Sequence, residues 1–556
     1  MAPMRADPTV AASRDAVVST ECSVAEAVAR AVAAAGIEFV FAFPGGGSNL
    51  ALIDGLARAG VRVVLTRSEE GGAFMAATYG ELTGRPGVLL TGLGPGAASA
   101  VNGAAHALLD RAPLLIVADR YSAAEAATSR HQLIDQARLF EPVTKWQGEL
   151  AAADAYEATA RALALAATAP RGAVLLELAR DVARAPTPAG GPFASPASPA
   201  PLDRGALHAA AALVAAARRP VLLVGLEGRL DLVQDDLVRL AERLRAPVLA
   251  TYKGKGVFPE THRLSAGILT GAELERPLLE QADLLLAIGL DPVELLPRPW
   301  SYPAPLVALR EDPAADPYLA PSLTVAGPVG ALIRELAGAV TECRSEWREE
   351  EVARLTPAAL AVLRVPVTEG LASWEVVDVV AAAAPAGPLT VTVDAGAHMF
   401  AATLFWRSPL PARFLISNGL STMGYAVPAA VAAALVRPGE PVIAFTGDGG
   451  FLLHANELET AARVGAKVIV VVLNDANLSL IRIKQEDLGL ARAGVDFLRS
   501  DFALLAESFG ARGFRAETAD GLTAAMRAAL AAPGSSVIDV ATSGAEYAEL
   551  VRRIRG

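Results

Sequence analysis

The sequence predicts an α/β protein with three domains, each a parallel sheet with flanking helices. Short apolar segments of strand length alternate with Ala-rich segments of helical character along most of the chain. Stretches rich in Pro, Gly and Ser, or in charged residues, divide this alternation into three blocks. The chain has 556 residues, which exceeds the size of one domain, and its 53% hydrophobic content can supply several cores.

The first predicted domain covers residues 21–185. Its predicted strands are Phe39–Phe43, 61–65, 88–91 and 114–117. Residues 1–20 lack a basic segment followed by an apolar one, so they are interpreted as a disordered tail and not as a signal peptide. Residues 186–201 are rich in Pro, Gly, Ser and Ala and are predicted to be a linker.

The second predicted domain covers residues 203–340, and the third covers residues 372–545. Strands of the second are predicted at Pro220–Val224, 247–250 and Leu284–Ile288. The charged segment 342–371 is predicted to be a helical bridge. The first and third domains share an order of strand, glycine turn, helix and strand, at 87–117 and again at 441–473. Two interpretations remain open: the general similarity of doubly wound folds, or two related domains that enclose one ligand.

Composition excludes several classes of function. The net charge of −11 and an isoelectric point near 5.3 argue against a nucleic-acid partner. Only two cysteines occur, Cys22 and Cys343, which excludes a disulfide framework and fits a reducing cytoplasm. No apolar run approaches the ~18 residues of a membrane span, so no membrane partner is expected. The sequence therefore predicts a cytoplasmic protein.

One pair of motifs indicates a site for a cation and a diphosphate. Gly447-Asp448-Gly449 follows the apolar segment 441–446, and Asn474-Asp475 follows the apolar segment 466–473, with 24 residues between Gly449 and Asn474. Strands joined by one helical crossover are expected to be parallel neighbours, with their carboxyl ends at the same edge. Oxygen ligands from the two turns can then meet on Mg²⁺, which usually completes its shell with water and phosphate oxygens.

These residues resemble the thiamine diphosphate (ThDP) enzymes of the acetolactate synthase-like group, over about residues 21–545. In that family the first domain binds the aminopyrimidine ring, the central domain is structural, and the third binds the diphosphate and metal. The family motif ends in Asn-Asn, whereas this chain has Asn474-Asp475. The resemblance implies that Mg²⁺ is bound by the side chains of Asp448 and Asp475 and by the backbone carbonyl of Asn477.

A second motif implies the catalytic residue. The segment Thr66-Arg67-Ser68-Glu69-Glu70-Gly71 resembles the family pattern R-H-E-x-G, with Ser68 where His is common. By this resemblance Glu69 is the catalytic acid that hydrogen-bonds N1′ of the pyrimidine, and Glu70 is the second candidate. A carboxyl in an apolar pocket has a raised pKa, which suits proton sharing with a weak base.

A third motif and several shorter ones complete the predicted cofactor site. The segment from Gly419 to Pro428 resembles the GLGTMGFGLP stretch, which places Met423 beneath the cofactor and the Ser421 carbonyl on its amino group. Shorter matches are Phe43-Pro-Gly-Gly-Gly47, His131-Gln132 and 393–399. His131 and His398 could equally be structural. His454 is predicted to open the helix after the metal motif, where it could cap the helix or touch phosphate, and the capping role is favoured. The full predicted cofactor-binding set is Pro44, Gly45, Gly46, Gly94, Asn102, Gln132, Ala397, His398, Ser421, Met423, Gly447, Asp448, Gly449, Gly450, Asn477 and Leu478.

The resemblance implies decarboxylation of a small-molecule 2-oxo acid and carboligation of the product to a second carbonyl. Simple decarboxylation, and a 2-hydroxyacyl-CoA lyase or acyltransferase reaction, remain as alternatives, as does a cofactor-binding but inactive regulatory homologue. Departures at Ser68, His131 and Leu133 leave open whether pyruvate is the substrate. FAD is not expected, because the segments 269–273 and 288–292 lack the patterns of FAD-binding members. The family further implies a homodimer or homotetramer whose active sites lie at subunit interfaces.

Overall fold

The structure, a computed structural model, describes residues 21–191, 202–229, 234–296, 298–312, 314, 317–340 and 343–555. The predicted tail, residues 1–20, and residues 192–201 of the predicted linker lie outside this part of the chain. Three six-stranded parallel sheets and one two-stranded antiparallel pair make up the β-structure of the described residues. The α/β fold with three sheet-based domains is therefore confirmed.

The N-terminal sheet has the strand order β3-β2-β4-β5-β7-β6. Its strands, with the flanking pair β1 and β8, are β1 Glu21–Ser23, β2 Phe39–Phe43, β3 Arg62–Leu65, β4 Gly87–Thr91, β5 Leu114–Arg120, β6 Trp146–Glu149, β7 Ala173–Ala179 and β8 Pro186–Pro188. The helices are α1 Val24–Ala34, α2 Asn49–Arg58, α3 Glu69–Thr83, α4 Pro95–Ser99, α5 Val101–Leu109, α6 Ala123–Thr128, α7 Gln136–Phe140, α8 Ala155–Ala167 and α9 Arg180–Ala183.

The predicted linker was wrong at its first three residues, which form strand β8. Thr187 pairs with Cys22 of β1 in antiparallel register, and the Val24 amide donates to the Ala185 carbonyl at 3.0 Å. Proline lacks an N–H, so it is tolerated in a short pair that has no further neighbour to bond. Strand β8, at the end of the first domain, therefore holds β1, at the start of the described chain, in place.

The central sheet has the order β11-β10-β9-β12-β13-β14, which is that of a dinucleotide-binding fold. Its strands are β9 Pro220–Val224, β10 Val248–Ala250, β11 Ser265–Ile268, β12 Leu284–Ile288, β13 Leu306–Arg310 and β14 Leu323–Ala326. The helices are α10 Arg204–Ala216, α11 Gln234–Leu244, α12 Arg276–Leu279 and α13 Val329–Ala339.

The predicted helical bridge 342–371 is helical only over α14, Glu349–Leu363. Before the helix, the buried Trp347 donates its indole N–H to the Pro220 carbonyl at 2.9 Å, which holds this stretch against the central sheet. After it, Pro366 disfavours helical backbone at Val365. The prediction of one continuous helix was therefore too long at both ends.

The C-terminal sheet has the order β16-β15-β17-β18-β20-β19. Its strands are β15 Thr390–Val393, β16 Phe414–Ile416, β17 Val442–Gly447, β18 Val468–Asn474, β19 Arg512–Ala516 and β20 Ser536–Ala541. The helices are α15 Ser373–Ala383, α16 His398–Phe405, α17 Ala426–Val436, α18 Asp448–His454, α19 Glu457–Val464, α20 Ser479–Asp487, α21 Phe502–Ser508, α22 Ala519–Ala531 and α23 Tyr547–Arg555. When the strands of each six-stranded sheet are numbered in chain order, the first and third sheets have the same order, 2-1-3-4-6-5. This shared order favours the interpretation of two related domains.

One continuous apolar core joins the first and third domains. Helix α3, which is mostly buried, packs against the Ala-rich helix α17, and the small side chains let the two backbones approach closely. Thr78 of α3 lies 3.3 Å from the Tyr425 hydroxyl. Ser68 caps α3 by accepting from the Gly71 amide at 3.0 Å, so Glu69 is the first helical residue. Among the helices described, none is long and apolar enough to cross a bilayer.

Candidate active site

Strands β17 and β18 are parallel neighbours, as the motif spacing predicts. Gly447 pairs with Leu473, so both strands end at the same edge of the sheet. Helix α18 begins at Asp448, directly after β17. This places Asp448 and the turn after Asn474 side by side at the carboxyl edge, where ligands of such sheets bind.

A cavity of about 210 Å³ opens at this edge. It brings together residues that are up to 152 positions apart in sequence, and it collects every site residue predicted in the third domain. Its lining is Ala395, Gly396, Ala397, His398, Ser421, Met423, Gly447, Asp448, Gly449, Gly450, Leu473, Asp475, Asn477, Leu478, Ser479, Leu480, Ile481 and Tyr547.

Two carboxylates face this cavity, Asp448, which is buried, and Asp475, which is partly buried. Asp448 is 4% exposed and accepts from the Gly449 amide at 2.6 Å and the Asn477 amide at 3.3 Å. Burial, together with the neighbouring charge of Asp475, raises the pKa of Asp448 to about 6. Burial also raises the pKa of Asp475, whose carboxylate accepts from the Ser479 hydroxyl. A cation between the two acids would relieve both effects, so this pair fits a metal.

The pair needs further ligands to complete a metal shell. Within the described residues, no three His, Cys, Asp or Glu side chains cluster as a metal site. The side chain of Asn477 is engaged, donating to Asp496 at 2.7 Å and accepting from Arg482 at 3.3 Å, which leaves its backbone carbonyl as the available group. Ala476, with φ of +56°, turns the backbone at this point. A cation that also takes phosphate and water oxygens suits so few protein ligands.

The glycines beside Asp448 are required by close packing. A Cβ at Gly450 would lie 2.7 Å from a carboxylate oxygen of Asp394, and a Cβ at Gly449 would lie 3.3 Å from Cε of Met423. Asp394 is fully buried and accepts from the Gly424 amide at 2.8 Å and the Thr446 hydroxyl at 3.1 Å. Asp394 lies in the segment 393–399 that resembles the family pattern, but it is not among the predicted site residues.

His398 places an unpartnered polar atom at this site. Its ring is 5% exposed, and Nε2 has no hydrogen-bond partner in the structure. Burial lowers the pKa of His398 to about 4, so the imidazole is neutral. Tyr547 also lines the cavity and was missed by the sequence analysis. It belongs to the last helix, α23, and no local motif marks it.

Apart from Asn102, the site residues predicted in the first domain lie around the turn after β4, at the edge of the N-terminal sheet. None of them lines the cavity. Gly94, with φ of +61°, donates its amide to Gln136 at 2.7 Å, and a Cβ there would lie 2.3 Å from the Gln132 carbonyl. At Gly45, which stands between Pro44 and Gly46, a Cβ would lie 2.8 Å from the backbone of Gly92.

Glu69 belongs to this N-terminal cluster. A Cβ built at Gly96 would lie 2.9 Å from a Glu69 carboxylate oxygen, so the carboxyl reaches the turn after β4. Burial raises the pKa of Glu69, while hydrogen bonds from its own backbone N–H and from Ser99 oppose the rise. A carboxyl with a raised pKa is suited to share a proton.

Three further predicted residues lie apart from both groups. Asn102 donates its side-chain amide to Glu70 at 2.5 Å and to the Thr422 hydroxyl at 2.9 Å, which joins the first and third domains. His454 was predicted to cap the helix after the metal motif; that was wrong, because it is the last residue of α18 and its ring packs against Phe74. His131 is exposed, and its carbonyl accepts from Tyr121.

Comparisons with known proteins agree with this geometry. The profiles described as "Thiamine pyrophosphate enzyme" match residues 22–139 (N-terminal TPP binding domain), 207–336 (central domain) and 394–540 (C-terminal TPP binding domain). The chain belongs to the thiamine pyrophosphate enzyme family. Thiamine pyrophosphate is another name for ThDP, so the resemblance drawn from the motifs is confirmed.

Similar proteins in this family include acetolactate synthases. The acetolactate synthase of Bacillus subtilis is 32% identical over 93% of this chain and 92% of its own length. The catabolic acetolactate synthase of Raoultella terrigena is 30% identical over 93% of this chain and 94% of its own. A probable 2-ketoarginine decarboxylase of Pseudomonas aeruginosa is also 30% identical, over 93% of each chain. This chain is thus a ThDP-dependent enzyme of the acetolactate synthase-like group.

Proposed function

We propose that this enzyme uses ThDP and Mg²⁺ to decarboxylate a 2-oxo acid and transfers the remaining acyl unit to a second carbonyl compound. The observation that carries the proposal is the convergence of Asp448, Asp475, Ser421 and Met423 on one cavity. Bound ThDP supplies the carbon nucleophile and the electron sink that decarboxylation needs. The protein supplies binding, orientation and proton transfer.

Asp448 and Asp475 would hold Mg²⁺, with the Asn477 carbonyl as a third ligand. Their raised pKa values support this role, because a shared cation stabilises the ionised form of both. The unpartnered Nε2 of His398 and the glycine-lined edge at 447–450 would accommodate the diphosphate. Met423 would pack beneath the rings, since its flexible thioether adapts to irregular surfaces.

Glu69 would act on the pyrimidine ring by holding a proton at its N1′ nitrogen. Its half-buried carboxyl and raised pKa support that role. Because Glu69 does not line the cavity of its own chain, we further propose that it completes the site of a partner subunit. A homodimer is then the minimal active unit, and a homotetramer is compatible with the same arrangement.

One buried side chain of the central domain argues against FAD. At the point where its strand order reverses, between β9 and β12, the carboxylate of Glu294 accepts from the Leu226 amide at 2.9 Å, from the Asp291 amide at 3.3 Å and from the Thr251 hydroxyl. The Leu226 and Asp291 amides follow β9 and β12, at the edge where a dinucleotide phosphate binds in such folds. A Cβ at Gly225 would lie 2.6 Å from the same carboxylate. We therefore propose a flavin-free enzyme.

The relatives support two outcomes for the unit that remains after decarboxylation. The acetolactate synthases support carboligation. The probable 2-ketoarginine decarboxylase supports a second candidate, simple decarboxylation.

The cysteines Cys22 and Cys343 are both free, which supports a reducing compartment such as the cytoplasm.

Product analysis tests the proposal. Purified protein with ThDP and Mg²⁺ would be given ¹³C-labelled pyruvate and then a panel of 2-oxo acids, with the Asp448→Ala variant as the matched control. We expect CO₂ and a C–C coupled product that the variant does not form. Aldehyde and CO₂ alone would instead establish the decarboxylase. Absence of turnover across the panel despite ThDP binding would contradict both.

A further inference from the structure

Asp110 lies at the junction of the three domains. It follows α5 and its side chain is fully buried. One carboxylate oxygen accepts from Nζ of Lys253, in the central domain, at 2.8 Å. The other lies 3.1 Å from Nδ1 of His106, in its own domain. The carboxylate is therefore held from two sides by basic groups.

The same carboxylate accepts three successive backbone N–H groups of the third domain. The amides of Asn418 and Gly419 donate to one oxygen at 2.8 and 3.2 Å, and the amide of Leu420 donates to the other at 3.4 Å. Hydrogen bonds to an ionised acceptor are stronger than neutral ones. A single side chain of the first domain thus fixes the backbone of the third.

These amides lie in the first half of the segment 417–424. We call this segment the cofactor loop because its residues Ser421 and Met423 line the cavity. Its far end is fixed inside the third domain, where the Gly424 amide donates to Asp394 at 2.8 Å. Ser421 has φ of +54°, a region that residues with a Cβ rarely adopt. Such a conformation persists only where the surroundings hold it, and Asp110 holds one end of the loop.

The charges around Asp110 favour its ionised form. Burial raises the pKa of Asp110, but the Lys253 ammonium and the His106 ring outweigh burial and hold it well below its usual range. Lys253 also donates to Glu81 at 2.8 Å, and Glu81 is paired with Arg229 at 2.7 Å. The four charged side chains and His106 form one buried network, and Asp110 is the member that bonds the cofactor loop.

We propose that Asp110 is a positioning residue for the chemistry: it sets the cofactor loop so that the Ser421 carbonyl and the Met423 side chain meet ThDP in the reactive arrangement. The inference rests on the proposed function of the cavity. The N-terminal domain then has two separate tasks, since it also carries Glu69. A displaced loop would leave the diphosphate and metal end bound and misplace only the ring end.

The test compares Asp110→Asn with Glu311→Gln. Glu311 pairs with Arg171 at 2.7 Å and joins the N-terminal and central domains, as Asp110 and Lys253 do, but no hydrogen bond described for it reaches the cofactor loop. Each variant would be assayed with ThDP and Mg²⁺ for thermal unfolding, for ThDP affinity, and for exchange of the ThDP C2 proton by NMR. Assays would run well below the unfolding temperature of every variant.

We expect both variants to be less stable and only Asp110→Asn to slow C2 proton exchange, by about 10- to 100-fold, while ThDP affinity changes less. Gly419→Ala gives a second variant that alters no charge. Its Cβ would lie 2.5 Å from the Leu109 carbonyl, so the loop must shift, and we expect the same slowing with Asp110 intact.

Two results would overturn the inference. One is a rate of C2 proton exchange that is unchanged in both Asp110→Asn and Gly419→Ala. The other is a rate that falls as much in Glu311→Gln as in Asp110→Asn. Either result would mean that Asp110 contributes only to the stability of the fold. Wild-type protein that binds no ThDP would instead overturn the proposed function, and this inference with it. The two failures are therefore distinguished in one series of measurements.

Discussion

Nζ of Lys253 and a carboxylate oxygen of Asp110 lie 2.8 Å apart, and neither side chain is more than 1% exposed. The two residues belong to different domains and are 143 positions apart in sequence. A buried ion pair of this kind contributes little net stability while intact, but removing one partner leaves an uncompensated charge. The domain junction therefore depends on both charges being present.

Lys253→Met should destabilise the folded protein by about 3–5 kcal/mol, because Asp110 and Glu81 would both lose their ammonium partner. Denaturant unfolding gives the measurement. The control is Arg553→Ala, which removes an exposed pair with Glu549 and should cost less than about 0.5 kcal/mol. Equal effects of the two substitutions would contradict the importance assigned to the buried pair.

Asp448→Asn should abolish Mg²⁺-dependent ThDP binding and yet stabilise the metal-free protein by about 1 kcal/mol near neutral pH. The pKa of Asp448 in the folded protein, about 6, lies above its ordinary value of 3.8, so the metal-free wild type loses stability as pH rises between these values. An amide at this position cannot ionise. Calorimetric titration with ThDP and Mg²⁺, and thermal unfolding without them, test both halves; retained affinity would remove Asp448 from the metal site.

Glu69→Gln should leave ThDP affinity nearly unchanged and slow C2 proton exchange by about 10²- to 10⁴-fold, since an amide cannot share the proton that the proposed role requires. The adjacent Glu70→Gln is the matched control. Glu70 bonds Asn102 and faces His454, so its loss should have a smaller effect on exchange. The reverse order of the two effects would transfer the proton-sharing role to Glu70.

Mixing two inactive variants tests whether subunits share active sites. If Glu69 serves a partner's cavity, a heterodimer of Glu69→Gln and Asp448→Ala contains one site with both native residues. Random reassembly of equal amounts should then restore about a quarter of wild-type activity in a twofold dimer. Activity that stays at background after denaturation and joint refolding, while refolded wild type recovers, would mean that each site is built from one chain.

Glu294→Gln should flatten the dependence of stability on pH. Burial raises the pKa of Glu294 to about 7, from an ordinary value of 4.5, although hydrogen bonds from Thr251 and Leu226 oppose the rise. The folded state therefore holds a proton that the unfolded state releases, and stability falls as pH rises from about 4.5 to 7. Thermal unfolding across this range should show a smaller decline in the variant. The stability of the variant should still fall slightly with pH because of Glu227. Burial raises the pKa of this residue to about 7 as well.

The two turns that carry Asp448 and Asp475 could be predicted because their geometry is local. A strand, a crossover and a parallel neighbour fix both carboxyl ends at one edge, so the spacing of Asp448 and Asp475 was enough to bring them together. The succession of strand, glycine turn, helix and strand that the first and third domains share was also visible locally, whereas their common sheet order came from the structure. These relationships require no knowledge of how the domains pack.

Other parts of the site depend on contacts between distant segments. Tyr547 reaches the cavity from the last helix, and Asp110 bonds an amide 308 positions away, so neither has a motif beside it. Strand β8 was missed because Pro-rich composition is typical of linkers, whereas its pairing with β1 is decided by the fold. Tertiary packing also determined that His454 ends its helix and packs inward.

The hydrogen bonds from the cofactor loop to Asp110 set a rule for building chimeras within this family. A C-terminal domain grafted from a relative would bring its own loop backbone but would meet the host's α5 terminus and the host's Lys253. Breakpoints placed in the segments between domains would preserve each sheet and still separate residues that bond one another across the domain junction. A functional hybrid would therefore have to exchange Asp110, Lys253 and residues 417–424 as one unit, whatever the boundaries of the domains themselves.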